Sequence, residues 1–478
     1  MSATAIIRRT GAEMNPWAKA ELAQITGGTW EGDLPEAWTT ERIAFWDALV
    51  CPGALVIPHV STYRYGVDKL KIERDAQRGL ALFVDEEFQS DNEEFPLLRV
   101  ASVRIAMRRL AEHARAAYSG RLIATSGSVG KTSTTAMINA ILTATGHPQF
   151  PGGNFNTVSG VLGLIANLPR SGIHTTEVSI GFFRRLQDLF ALKPHVALIT
   201  SIGDAHLEEY GSRRAIAELK ARVYDVAEGG TAIVPRDSEY FNYLRERALS
   251  FGARVVSFGE HSEADYRLET YSPGDNMVSA VLKGKYRRYK IRNPGRHMAL
   301  NSLCALAAAD SLGLDLHVAT NALAVTEAVH GRGEVIRIAL ASGEVQIVNE
   351  AYNANPTSVA AVLAAFAEQR RPAGGRKLAL LGDMLELGPM SAKFHASLAE
   401  PILAADLDMV MTVGEQMRYL RRTLPEYLLG PHFATADNVL AGLATILRAN
   451  DILLVKGSNA VGLNEIIVSL GRQFRSHQ

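Results

Sequence analysis

Short apolar runs alternate with stretches of helical period along most of this chain. Leu122-Ile123-Ala124 is apolar, and after a glycine-containing turn Met137, Ile138, Ile141 and Leu142 fall on one helical face, with Gly146 and Pro148 as the stop. Before it stand short strands such as Gly53–Ile57 and Gly79–Val84, then a basic helix through Arg104, Arg108, Arg109 and Arg115. After it the pattern predicts strands near Val196–Ile202 and Thr231–Val234 and an alanine-rich helix after Asn301. Beyond His330-Gly331-Arg332-Gly333, which reads as a hinge, strands at Val345–Val348, Lys377–Leu381, Met409–Val413 and Ile452–Val455 alternate with helices from about Ser358 and after Ser391. Such alternation argues for parallel or mostly parallel sheets covered on both faces.

Composition changes this picture little. The 478 residues are 47% hydrophobic and 21% charged, enough for a large core and roughly three domains. Lys+Arg and Asp+Glu balance at 50 each, so no overall field points to nucleic acid or an acidic membrane. Cys304 lies in the apolar run Leu303–Ala309 and reads as a buried thiol; with Cys51 as its sole companion there is no metal-binding spacing. The N-terminus has no apolar core of a signal peptide, and no run of 18 apolar residues occurs. A cytoplasmic protein without membrane insertion is the expectation.

The chemistry concentrates first in Gly127-Ser128-Val129-Gly130-Lys131-Thr132-Ser133, between the strand and the helix. Glycines let backbone N–H groups approach phosphate oxygens, the helix start adds a positive dipole end, Lys131 adds charge, and Thr132 offers a hydroxyl to Mg²⁺. Ligands of such folds lie beyond the carboxyl ends of strands, so Glu177, Asp204, His206 and Lys220 are candidates too. Taken singly, Glu177 reads as a solvated loop carboxylate, His206 as a hydrogen-bonded loop histidine and Lys220 as an exposed helix lysine. Their joint pattern favours the chemical reading.

Thr125 stands where the first glycine of a longer G-x-x-x-x-G-K-[ST] string would be. The shorter loop resembles that of the Mur ligases and their folylpolyglutamate and cyanophycin synthetase relatives, which form amide bonds using ATP. His206–Ser212 followed by Lys220 is similar to the family segment that carries a metal-binding histidine and a carbamylated lysine. Asn154 and Thr157 in Gly153–Thr157, Glu177, Gly295-Arg296-His297 with Asn301, and Arg332 match further family positions. So do Glu350–Pro356, Gly382–Gly388 and Val455–Ser458. G-N-F-N, Y-N-A-N-P and G-D-M-L-E-L-G point to the branch that joins D-alanyl-D-alanine to a UDP-N-acetylmuramoyl tripeptide.

The resemblance implies an α/β protein of three domains. A small N-terminal α/β domain over 1–118 recognises substrate, a central P-loop parallel-sheet ATPase domain spans 119–329, and a C-terminal Rossmann-like domain spans 330–478. It implies ATP bound by Gly127–Ser133, His297, Asn301, Arg332 and Glu350. Lys131, Asn154, Glu177, His206 and Lys220 are the implied catalytic set. Two Mg²⁺ ions fall to Thr132 with Glu177 and to His206 with a carbamate on Lys220, while Asn154, Thr157, Asn353, Asn355, Lys456 and Ser458 meet small-molecule carboxylate and amine substrates. Departures include Met298 after His297 in place of an asparagine, Ala351 in place of a serine and Glu350 in place of an aspartate; in the N-terminal segment Thr39-Thr40-Glu41-Arg42 is a loose match and Tyr63, Arg64 and Tyr65 replace small residues of the uridine-side turn. A ligase of a specialised pathway with another carboxylate is therefore the alternative, and a P-loop ATPase or binding protein that makes no amide is a more distant one.

Overall fold

A computed structural model describes residues 16–59, 65–89, 95–149, 155–185, 191–226, 229–340 and 343–475. Three sheets carry the architecture. The first runs, in spatial order, Thr29–Glu31, Leu97–Val100, Ala81–Asp85, Leu55–Val56 and Ile43–Ala44, parallel except for its first pair. Its helix Val103–Ala117 buries Val103, Ala106, Met107, Leu110, Ala111 and Ala114, a stripe at i, i+3, i+4, i+7 spacing. That stripe packs against the helix Val158–Ala166, so one apolar core continues into the next sheet. Asn167 fastens the junction. Its buried amide accepts from the Ile43 N–H and donates to the Ile43 carbonyl, both at 3.0 Å, like a neighbouring strand.

The second sheet has eight strands, in the order Lys285–Lys290, Met277–Leu282, Tyr266–Ser272, Arg254–Gly259, Thr231–Pro235, Val196–Ile199, Arg121–Ser126 and Ile173–Glu177. Its last five are parallel, but the first three pair antiparallel, which the sequence reading did not anticipate. Lys285-Tyr286-Arg287-Arg288-Tyr289-Lys290 lacks the apolar run of a central strand because it is an edge, where charge discourages unwanted pairing. The alanine-rich helix also starts earlier than expected, at Arg296, so His297 and Asn301 lie on it. It is buried on nearly every side, Cys304 included, because it packs on the phosphate-loop helix and on four strands of this sheet.

The third sheet runs Glu334–Leu340, Gly343–Asn349, Ile452–Lys456, Lys377–Gly382, Met409–Val413 and Leu429–Phe433, parallel after an antiparallel first pair. Separate apolar cores cover its two faces. Among the described residues, no helix is long and apolar enough to cross a membrane.

Candidate active site

Strand order reverses at Arg121–Ser126, which has Val196–Ile199 on one side and the later-paired Ile173–Glu177 on the other. A crevice opens beyond the carboxyl end of such a strand, and Gly127–Thr132 fills it. Gly127 (φ +145°) and Gly130 (φ +87°) take conformations that side chains rarely adopt. A Cβ on Gly127 would meet Thr200 Oγ1 at 2.0 Å, and one on Gly130 would meet Asn301 Oδ1 at 2.5 Å. The neighbouring strand end buttresses the loop: Val129 N–H donates to Ser201 Oγ at 2.9 Å, and Gly203 N–H to Ser128 Oγ at 3.0 Å. Thr200 and Ser201 were not singled out from sequence, because a short Thr-Ser pair carries no motif.

Lys131 opens the helix Lys131–Ala144 and folds back, its amine donating to the Gly127 carbonyl at 2.8 Å. Lys220, last residue of the helix Arg213–Lys220, reaches the same oxygen at 2.9 Å. It is 1% exposed, which excludes the surface-lysine reading. Burial, reinforced by the Lys131 charge, holds the Lys220 amine well below the ordinary lysine value. Burial also lowers Lys131, with Glu177 pulling the other way.

Glu177 ends its strand and is buried rather than solvated. It accepts from Thr132 Oγ1 at 2.6 Å and from Asn156 Nδ2 at 2.8 Å. His206 sits at φ +67° as the cap of Leu207–Tyr210, its Nδ1 2.8 Å from Glu386 Oε2. Burial keeps its imidazole below the ordinary value against the opposing pull of Glu386. Asp204 is bound by both arms of Arg213, at 2.6 and 2.7 Å, and so buttresses the loop that carries His206.

Ser128–Lys131, Ser133, His297 and Asn301 face Arg332, Glu350, Asn353, Asn355 and Lys456 across one cleft. Arg332 lies over the Tyr352 ring, 4.1 Å from its centroid. Enclosure raises the Glu350 carboxyl, with Lys456 and Arg332 drawing it back down. Burial pushes Lys456 down to about 8, and its amine donates to the Asn353 carbonyl at 2.8 Å. Asn355 spends its side chain capping the helix Pro356–Ala367, and Ser458 Oγ accepts from Leu385 N–H at 2.9 Å. Both therefore shape the wall while bordering a second cavity with His206, Asn353 and Glu386. Thr157 caps Val158–Ala166 and donates to Tyr65 Oη at 3.2 Å. Tyr65 packs edge-on against Phe45 and Phe155. Asn154, Tyr63 and Arg64 lie outside the described residues.

Two family models match this chain, the Mur ligase middle domain over residues 125–309 and the Mur ligase glutamate ligase domain over 331–459, together well over half of it. The chain belongs to the Mur ligase family. This Mur ligase is 28% identical over 406 residues to the UDP-N-acetylmuramoyl-tripeptide–D-alanyl-D-alanine ligase of Bacillus subtilis (84% of this chain, 86% of the relative). It is 28% identical over 386 residues to the Escherichia coli enzyme of the same name (79% and 82%). A crystal structure of MurF from Acinetobacter baumannii superposes with TM-score 0.79 at 25% identity, covering 96% of this chain and 99% of that one. MurF from Thermotoga maritima, solved in complex with ADP, shares the fold at TM-score 0.72 and 23% identity, covering 91% and 98%. This Mur ligase is an ATP-dependent carbon–nitrogen ligase of MurF-like build.

Proposed function

We propose that the cleft phosphorylates a substrate carboxylate with ATP and passes the acyl phosphate to an amine, and that the pair is a UDP-N-acetylmuramoyl tripeptide and D-alanyl-D-alanine. The carboxylate oxygen attacks the γ-phosphorus and ADP leaves; the amine then attacks the acyl carbon and phosphate leaves with that oxygen. Such transfer depends on positioning and charge neutralisation. Lys131 serves the β- and γ-phosphates, while Asn301, His297, Arg332 and Glu350 face the nucleotide. Asn154 is assigned to the γ-phosphate or the reacting carboxylate.

Among the described residues no three His, Cys, Asp or Glu side chains gather as a metal site. Ions here therefore need other oxygen donors, and the site offers them. The Thr132 hydroxyl and the Glu177 carboxylate already touch, a hard-oxygen pair that fits Mg²⁺ alongside phosphate. Lys220 supplies the other half: a carbamate forms when a neutral amine adds to CO₂ and loses a proton, and burial next to Lys131 shifts this amine toward that neutral form. The modified side chain and His206 would hold a second Mg²⁺. These ions supply neutralisation of negative charge on the phosphates.

The substrate assignment draws on the names of the relatives and on a groove between the first two sheets. Arg104, Arg184 and Arg185 line it with Thr157 and Ser179, a basic setting for the anionic UDP-sugar end. Tyr65, hydrogen-bonded to Thr157 of that groove and standing in place of a small residue, favours a second reading in which another carboxylate is used. The observation that carries the ligase reading is the convergence of Lys131, Lys220, Thr132 and Glu177 around the turn at Gly127. Incubation with the two murein substrates and ATP, with mass spectrometry of the product, tests the assignment. A pentapeptide product is expected; ligation confined to other pairs would establish the second reading.

A further inference from the structure

We infer that Glu386 is a positioning residue that orients His206 for metal from the opposite side of the hinge, so that docking of its loop and metal binding at His206 promote each other. This rests on the assignment of His206 as a metal ligand made above. The decisive geometry is which ring nitrogen is engaged. Nδ1 lies 2.8 Å from Glu386 Oε2, so Nδ1 carries the hydrogen it donates to that carboxylate, and Nε2 is the ring nitrogen left for a metal. A carboxylate behind a histidine in this way fixes the ring and makes its free nitrogen a better ligand.

The backbone is built for this contact. His206 and Glu386 both hold left-handed conformations, at φ +67° and +62°, which non-glycine residues keep only where their surroundings dictate it. The Glu208 N–H donates to the Glu386 carbonyl at 3.3 Å. A Cβ on Gly388 would stand 3.4 Å from the Glu208 backbone, so the loop Gly382–Gly388 lies directly on the short helix Leu207–Tyr210. Competition from the adjacent Glu209 is reduced because Arg184 holds that carboxylate at 2.6 Å.

Glu386 and His206 belong to segments on opposite sides of the hinge at Gly331–Gly333. A ligand at Nε2 that strengthens the Nδ1–H donor therefore strengthens loop docking, and by linkage the docked loop strengthens that ligand equally. The same loop lines the cavity that also contains Asn353, Asn355 and Ser458. Metal at His206 would thus set one wall of the cavity where the amine is expected.

The test is Mn²⁺ binding to the full chain with a non-hydrolysable ATP analogue, followed by electron paramagnetic resonance, alongside small-angle scattering. Glu386 is 63% exposed at its side chain, so Glu386→Ala and Glu386→Gln should fold. Wild type should bind two ions and His206→Ala one. Glu386→Ala should weaken the His206-dependent ion by about 10–100-fold, the usual cost of losing such a partner, without affecting the other. Glu386→Gln, whose amide oxygen still accepts from Nδ1–H, should recover part of that loss. Metal-induced compaction should shrink in the alanine variant. Two ions retained by His206→Ala would refute the metal assignment and this inference with it; one ion lost there but full affinity in Glu386→Ala would overturn this inference alone.

Discussion

The amines of Lys131 and Lys220 converge on a single backbone oxygen, the Gly127 carbonyl, at 2.8 and 2.9 Å. Two buried ammonium groups cannot share so small a space cheaply, and burial together with the Lys131 charge holds the Lys220 amine well below the ordinary lysine value. A shift in that direction favours the neutral amine that carbamate formation needs. Lys220→Ala should remove most ligation while leaving nucleotide affinity within about threefold, and an added small carboxylate should restore part of the rate. Dependence of wild-type activity on dissolved CO₂ checks the same point. Full activity in the alanine variant would end the carbamate assignment.

Gly130 tests the packing beneath the phosphates. Alanine there meets Asn301 Oδ1 at 2.5 Å and holds φ +87°, so both the loop and the Asn301 amide must shift. Gly130→Ala should cost about 1 kcal/mol or more of stability and weaken ATP binding together. Denaturant unfolding and calorimetric nucleotide titration measure the two effects; unchanged values in both would refute the role given to this contact.

Arg332 bridges the hinge by stacking on Tyr352 and facing the phosphate loop. Arg332→Ala should slow ligation by the ~1–3 kcal/mol of a charge-assisted contact and reduce closure. Scattering with and without ATP plus substrates reads closure directly. Identical shapes in all states, with wild-type kinetics in the variant, would contradict a closing cleft.

His297 predicts the acid limb of stability. Burial, with the charge of Lys456 nearby, pushes its imidazole down to about 4 from 6.5. Between those values the unfolded chain binds a proton that the folded chain refuses, so stability falls as pH drops from 6.5 toward 4 and this contribution levels off below. His174, which burial also pushes down to about 4, shares that limb, so His297→Asn should make it shallower without abolishing it in unfolding curves collected across the window. An unchanged slope would show that another group controls it.

Much of this site was legible in the sequence because its parts are local. The phosphate loop, its strand and its helix are contiguous, and the apolar face at Met137, Ile138, Ile141 and Leu142 is buried as its spacing implied. The strand Met409–Val413 matches its apolar run residue for residue. What escaped depends on tertiary placement. Tyr266–Ser272 and Lys285–Lys290 pair antiparallel with Met277–Leu282 and carry mostly polar, exposed residues, so neither offers an apolar run to read. The burial of Lys220 was invisible in a helix that begins Arg213-Arg214, since the Gly127 carbonyl it meets is 93 residues away. Glu386 was visible only as one letter of a motif; its partner histidine lies in another segment, and no spacing rule connects them.

The central claim is that this cleft makes an acyl phosphate, and an oxygen label tests it most directly. With ¹⁸O in the substrate carboxylate, the account predicts that continued turnover of ATP to ADP requires both carboxylate and amine and that each phosphate released carries one labelled oxygen. ADP release without the carboxylate, or phosphate that takes its new oxygen from water, would contradict it.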